Sequence, residues 1–153
     1  MPVSVAITGT RQTGHRDLDW YASLFRRYLA PWAPDARFYI GGAVGIDSLS
    51  LLWLAGNTQS QITIVVPGTV EQQPAEARQA IERCRDRIGE IVELGAAELR
   101  TPAYHARNRW MVDRADMVIG YPLADTDAGG TSGTWQTINY AASQGKPRLI
   151  VPV

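Results

Sequence analysis

Tyr39-Ile40-Gly41-Gly42-Ala43-Val44-Gly45-Ile46-Asp47 runs from the end of an apolar strand, through a glycine-rich turn, into the start of an apolar helix. Glycines at 41, 42 and 45 let the backbone take positive φ and approach a ligand with no Cβ in the way. The helix beyond them offers unpaired N–H groups and a positive dipole end. The stretch therefore has two readings, a geometric strand-to-helix turn and a phosphate cradle, and the rest of the chain has to separate them.

Working outward toward the N-terminus, Val3 to Thr8 is a short apolar run ending in Gly9, the pattern of a strand buried on both faces of a parallel sheet. The polar turn Gly9 to Arg16 places Arg11, His15 and Arg16 near the carboxyl end of that strand, where open α/β sheets bind ligands. From Asp17 to Ala30 the apolar residues Leu18, Tyr21, Phe25, Tyr28 and Leu29 follow a helical spacing, closed by Pro31 and Pro34, and Arg37 to Ile40 supplies the second strand.

Beyond the opening stretch, Ile46 to Ala55 reads as a helix that is apolar almost all round and must be covered on more than one side. Ile62 to Val66 is an all-β-branched strand stopped by Pro67-Gly68. A helix opened by Pro74 is expected to run to about Ile88, with Ala77, Ile81, Cys84 and Ile88 facing inward, and Ile91 to Leu94 gives a fourth strand. Pro102 opens a helix that carries Arg107, Asn108 and Arg109 in consecutive positions, fanned around the axis so that at least one must face the sheet end. Met117 to Tyr121 is a fifth strand; Ala128-Gly129-Gly130-Thr131-Ser132-Gly133-Thr134 leads into a helix through Trp135, Ile138 and Ala142; Arg148 to Val151 is the last strand.

Strand and helix alternate throughout, which predicts an α/β fold: a three-layer, doubly wound sheet, mostly parallel, of about six strands with helices on both faces. The 153 residues fit one domain, 1–153, with no internal linker or repeat. Lys+Arg and Asp+Glu are both 15, so the formal charge is zero, which argues against a dedicated duplex-binding protein. The single Cys84 leaves no internal disulfide, His15 and His105 have no ligand partner at metal-binding spacing, and no metal is expected. With no basic start and no apolar run near the roughly 20 residues of a membrane span, a cytoplasmic chain without membrane association is expected.

In such a sheet the loops after the strands gather on one edge, so Gly9-Thr10-Arg11, Gly41 to Asp47 and Gly129 to Thr134 should converge. Two of them open helices, and Thr131, Ser132 and Thr134 add hydroxyl donors, while Arg11 with Arg107 or Arg109 could grip a phosphate. The expected ligand-binding set is Gly9, Thr10, Arg11, Gly41, Gly42, Gly45, Asp47, Arg107, Asn108, Arg109, Gly129, Gly130, Thr131, Ser132, Gly133 and Thr134. Asp47 either caps its helix or meets a sugar hydroxyl. Asp113 and Asp116 read as ion-paired or capping residues, and Trp110 as packing that could border the pocket.

Thr8-Gly9-Thr10-Arg11, Gly41-Gly42-Ala43-Val44-Gly45-Ile46-Asp47, Arg107-Asn108-Arg109 and Gly145-Lys146-Pro147 to Pro152 together resemble the Rossmann-like core of the DNA-processing protein A (Smf) family over nearly the whole chain. The wider superfamily, called SLOG, also contains the "Lonely guy" phosphoribohydrolases, long mislabelled lysine decarboxylases. The resemblance implies a pocket for a nucleotide or nucleotide-derived ligand, with no other cofactor required. The hydrolases have a PGGxGTxxE motif; here Thr137 stands where its glutamate would be, and the chemistry lacks its general acid/base group. The readings are ranked accordingly: nucleotide binding or sensing first, single-stranded DNA binding of the DNA-processing A type as the alternative, a phosphoribohydrolase-like enzyme third. A homo-oligomer is expected from the same resemblance.

Overall fold

A computed structural model of the chain describes residues 3–130 and 132–153. The strands Val3–Gly9 (β1), Ala36–Ile40 (β2), Gln61–Val66 (β3), Glu90–Glu93 (β4), Met117–Tyr121 (β5) and Arg148–Ile150 (β6) form one sheet in the order β4-β3-β2-β1-β5-β6. Every neighbouring pair is parallel. The helices Leu18–Tyr28 (α1), Ile46–Asn57 (α2), Ala75–Arg83 (α3), Thr101–Arg114 (α4) and Gly133–Ser143 (α5) fill the connections.

Strand side chains alternate between two cores, as the two-residue period requires. Val5, Ile7, Phe38, Ile40, Ile62, Ile64 and Tyr121 pack with Tyr21, Phe25, Leu51, Leu54 and Ile81, which places α1, α2 and α3 on one face. Ala6, Tyr39, Val65 and Val118 pack with Met111, Val112 and Ala141, which places α4 and α5 on the other. Each fully buried Leu, Ile or Phe contributes roughly 1.5–3 kcal/mol of transfer free energy. The all-round apolar α2 is indeed a central element, with α1 and α3 beside it and β1 beneath. Its apolar surface is largely used inside the chain.

The chain winds outward from β1 to the edge strand β4, then α4 carries it back across the sheet to lay β5 on the other side of β1. Connections leave β1 and β5 toward opposite faces, so a crevice opens at the carboxyl ends of these two strands. The site described next lies there.

One boundary differs from the sequence reading. The helix expected to reach Ile88 stops at Arg83, and Arg85–Arg87 forms a single 3-10 turn instead. Cys84 N–H is shared between the Ala80 and Ile81 carbonyls, and Arg87 Nη2 donates to the Thr58 and Ser60 carbonyls, at 3.0 Å each. Anchoring Arg87 to the loop before β3 tightens the last turn. A second 3-10 turn, Val70–Gln72, is closed by a capping box between Thr69 and Gln72.

Candidate functional site

The loop after β1 is fixed from both sides through one residue. Thr10 N–H donates to the Tyr121 carbonyl at the end of β5 (3.0 Å), and the Thr10 carbonyl accepts from Ile46 N–H at the start of α2 (3.1 Å). That last contact explains Gly45, whose φ is +77° and whose added Cβ would lie 2.5 Å from the Thr10 carbonyl oxygen. Gly42, at φ +69°, turns its Cα onto the core, where a Cβ would lie 2.8 Å from Val66 Cγ1. A Cβ on Gly41 would lie 2.7 Å from Arg107 Nη1 and 2.8 Å from Asp47 Oδ2. The three glycines expected to cradle a phosphate are thus positioned by packing, and none of them lines the pocket. What their turn delivers to the pocket wall is Ala43 and Asp47.

The pocket has a volume of about 460 Å³ and is lined from the loop after β1, the start of α2, one side of α4 and the start of α5. Its polar centre is the pair Asp47 and Arg107, both buried. Arg107 reaches in from α4 and donates through Nη1 to the Gly41 and Val65 carbonyls, and through Nε to Asn108 Oδ1 (2.7 Å). Its Nη2 has no acceptor among the described residues, so both N–H groups of that nitrogen remain for a ligand. Asp47 Oδ2 accepts from Ala43 N–H at 3.2 Å, a contact to the turn before the helix and not the helix cap that was one of its two readings. Burial holds the Asp47 carboxyl above the ordinary range, opposed by the Arg107 charge; burial likewise pulls Arg107 down, opposed by Asp47.

At the mouth, Tyr104 sits three residues before Arg107 on α4, and its ring is faced by two guanidinium groups, Arg11 at 4.8 Å and Arg107 at 5.8 Å from the centroid. His105, Asn108 and Thr101 continue this wall, while Ile7, Thr8 and Met111 contribute to the lining from β1 and α4. On the opposite side Ser132 caps α5 by accepting Trp135 N–H (3.2 Å), and Trp135 Nε1 donates to Thr126 Oγ1 (3.1 Å), which ties the preceding loop to the helix. The N–H groups of Gly133 and Thr134 have no acceptor among the described residues, as expected of a first helical turn. Among the described residues, a Cβ on Gly133 would meet nothing within 4 Å.

Gly9, Thr10, Arg11, Asp47, Arg107, Asn108, Ser132, Gly133 and Thr134 are brought together as the sequence indicates. Arg109 is not: it lies exposed over the Tyr140 ring at 5.4 Å, in a shallow groove between α4 and α5. Gly129 and Gly130 belong to an exposed loop outside the pocket, and Thr131 lies outside the described residues. Trp110 packs edge-on to Tyr39 (6.0 Å) away from the pocket, and Arg16 covers Trp20 (4.7 Å). Asp113 accepts from the Tyr140 hydroxyl (2.6 Å) and Asp116 from Ser4 N–H (2.8 Å), so neither pairs with Arg114, which stacks on Trp110. Thr137, at the position of the hydrolase glutamate, donates to the Gly133 carbonyl (2.8 Å) inside α5 and is buried. No three His, Cys, Asp or Glu side chains gather to hold a metal ion among the described residues. Among those residues, too, no helix is long and apolar enough to cross a membrane.

Tyr104, Gln12 and Gln136 are pocket residues that the sequence does not mark, and His105, which the sequence shows only to lack a metal-ligand partner, lines the pocket with them. Tyr104 was within reach of a sequence reading, because a position three residues before Arg107 shares its helix face.

The sequence profile of the family described as DNA recombination-mediator protein A matches residues 2–153. The chain belongs to that family. Among solved structures, the DNA processing protein A of Streptococcus pneumoniae superposes with a TM-score of 0.74 at 20% identity, over 99% of this chain and 51% of that one. The DNA processing protein A of Helicobacter pylori, described for its single-stranded DNA binding mode, superposes with a TM-score of 0.70 at 22% identity, over 99% of this chain and 66% of that one. At such identities the likeness establishes a shared fold. The chain thus spans about half to two thirds of the length of these DNA processing proteins. Among curated proteins, none matches the sequence.

Proposed function

We propose that this member of the DNA recombination-mediator protein A family binds single-stranded DNA at the pocket between β1, α4 and α5. The reading rests on one observation above the rest, the Tyr104 ring at the pocket mouth flanked by Arg11 and Arg107. An aromatic face bordered by guanidinium groups suits strands without base pairs, because any base can stack on the ring while a neighbouring phosphate takes the arginine fork. Family membership favours this reading over a stand-alone nucleotide sensor.

The zero net charge sets its character. With Arg11 at the mouth and Arg107 at the pocket's centre, about two phosphates are neutralised, and the salt slope for a single strand should be about −1.4 on a log–log scale. Fluorescence anisotropy with a labelled single-stranded oligonucleotide between 20 and 200 mM salt, about a tenfold span, measures this. Arg11→Ala should flatten the slope by about half, and Tyr104→Ala should weaken binding by about 1–3 kcal/mol with the slope unchanged. No retention of the oligonucleotide at low salt, or equal binding by both variants and the parent, would overturn the reading.

A second reading, a free nucleotide in the same pocket, is favoured by Asp47. A buried carboxylate is a poor neighbour for a polyanion and a good one for a hydroxyl or amino donor.

A further inference from the structure

Two atoms in the pocket are available in opposite senses. Arg107, 4% exposed, has an Nη2 donor with no acceptor, and Asp47, 7% exposed, has an Oδ1 that accepts nothing among the described residues. Both residues face the pocket, and neither atom is sealed from solvent. Such an acceptor is open to a donor that a ligand brings, and the exchange for water gains most where the site is otherwise enclosed.

The sugar–phosphate backbone of a DNA strand has nothing to give it, and only the base edges carry N–H donors. Phosphodiester oxygens accept only, a deoxyribose ring within the strand carries no free hydroxyl, and a phosphate beside the carboxylate is repelled. A ribose with free 2′ and 3′ hydroxyls donates two O–H groups, one to the open Oδ1 and one to the second lone pair of Oδ2, whose first accepts Ala43 N–H. The open N–H groups of Gly133 and Thr134 stand on the α5 side of the pocket for a 5′-phosphate, with the Arg11 guanidinium at the mouth beside Tyr104, and about 460 Å³ is within the range of small-molecule sites.

We propose that the pocket binds a free ribonucleoside monophosphate, its ribose diol donating to Asp47, and that this ligand excludes single-stranded DNA from the Arg11 and Arg107 donors. The inference deepens the nucleotide reading of the pocket and rests on it; its exclusion half rests also on the DNA reading. Selection between sugars follows from Asp47 alone: a charge-assisted hydrogen bond lost to a 2′-deoxy sugar weakens binding roughly tenfold or more.

Calorimetric titration of the intact chain with the four ribonucleoside 5′-monophosphates and their 2′-deoxy counterparts tests this directly. At least one ribonucleotide should bind roughly tenfold or more tighter than its deoxy partner. Asp47→Asn should remove that ratio. The parent chain alone decides the sugar preference if the variant fails to fold. Equal affinities within every pair would overturn ribose selection and leave the nucleotide reading standing; no binding by any of the eight would overturn both. In the anisotropy assay, a saturating ribonucleotide should displace the oligonucleotide, and simultaneous binding of the two would overturn the exclusion without touching the DNA reading.

Discussion

Arg107 joins the fold to the site in one side chain. Its Nη1 is bonded to two backbone carbonyls from different strand ends, and its Nε holds Asn108. Arg107→Ala removes all of these and leaves buried acceptors and the Asp47 carboxylate without a counterpart, a loss of about 2–4 kcal/mol in urea unfolding. An unchanged midpoint would show the guanidinium to be dispensable to the fold. Asp47 sets a pH dependence of definite sign. Burial raises its carboxyl above 3.8, so between that value and the raised one the folded chain holds more protons at this group than the unfolded chain does. Its contribution is fully present below 3.8 and falls as pH rises through that interval. Other carboxylates set their own trends, so the check is a difference: unfolding free energy against pH for the parent minus that for Asp47→Asn should slope downward there. A flat difference would contradict the burial of the carboxylate.

At the scale of elements, two helices start with a side-chain cap, Asp17 accepting Trp20 N–H on α1 (2.8 Å) and Ser132 accepting Trp135 N–H on α5 (3.2 Å). Asp17→Ala and Ser132→Ala should each cost about 1 kcal/mol of stability, and only the second, on the pocket wall, should also weaken ligand binding. Equal effects on binding would mean that α5 does not present its N-terminus to the ligand. These elements were legible in the sequence because their periodicity and punctuation agree: Met117 to Tyr121 is a strand with the boundaries its apolar run indicates, and Gly145 and Pro147 do close α5. Gly41, Gly42 and Gly45 were legible only as glycines. Whether such residues face a ligand or a neighbouring backbone depends on contacts such as Thr10 on Gly45, made by residues far apart in sequence. The same limit explains Arg109, whose direction around α4 is set by the packing of α5 and not by its own neighbours.

For the whole molecule, the strand order puts β1 at the centre of the sheet and makes β4 and β6 its edges. Val5, Ala6 and Ile7 are fully buried, whereas β4 is at most half-buried and β6 has three residues. Hydrogen exchange should therefore be slowest for the amides of β1 and β5 and should reach the edge strands through local opening well before global unfolding. Equal protection of β4 and β1 would contradict that gradient. Since the pocket lies against the slowest pair, its floor should stay formed while its rim, at Gln12 and Thr126, opens more readily.

Gly133 and Cys84 together supply a chemical handle. Cys84 is the sole native thiol, it is buried against the core, and burial holds it protonated above its ordinary range, so maleimide reagents should pass it by. Among the described residues, position 133 has open space where a side chain would begin, on the pocket wall, and its φ is not in the left-handed region. A cysteine placed there by Gly133→Cys would carry a fluorophore to the entrance of the pocket on a chain with no competing reactive thiol, so that occupancy could be followed as a change in emission, without labelling the ligand at all.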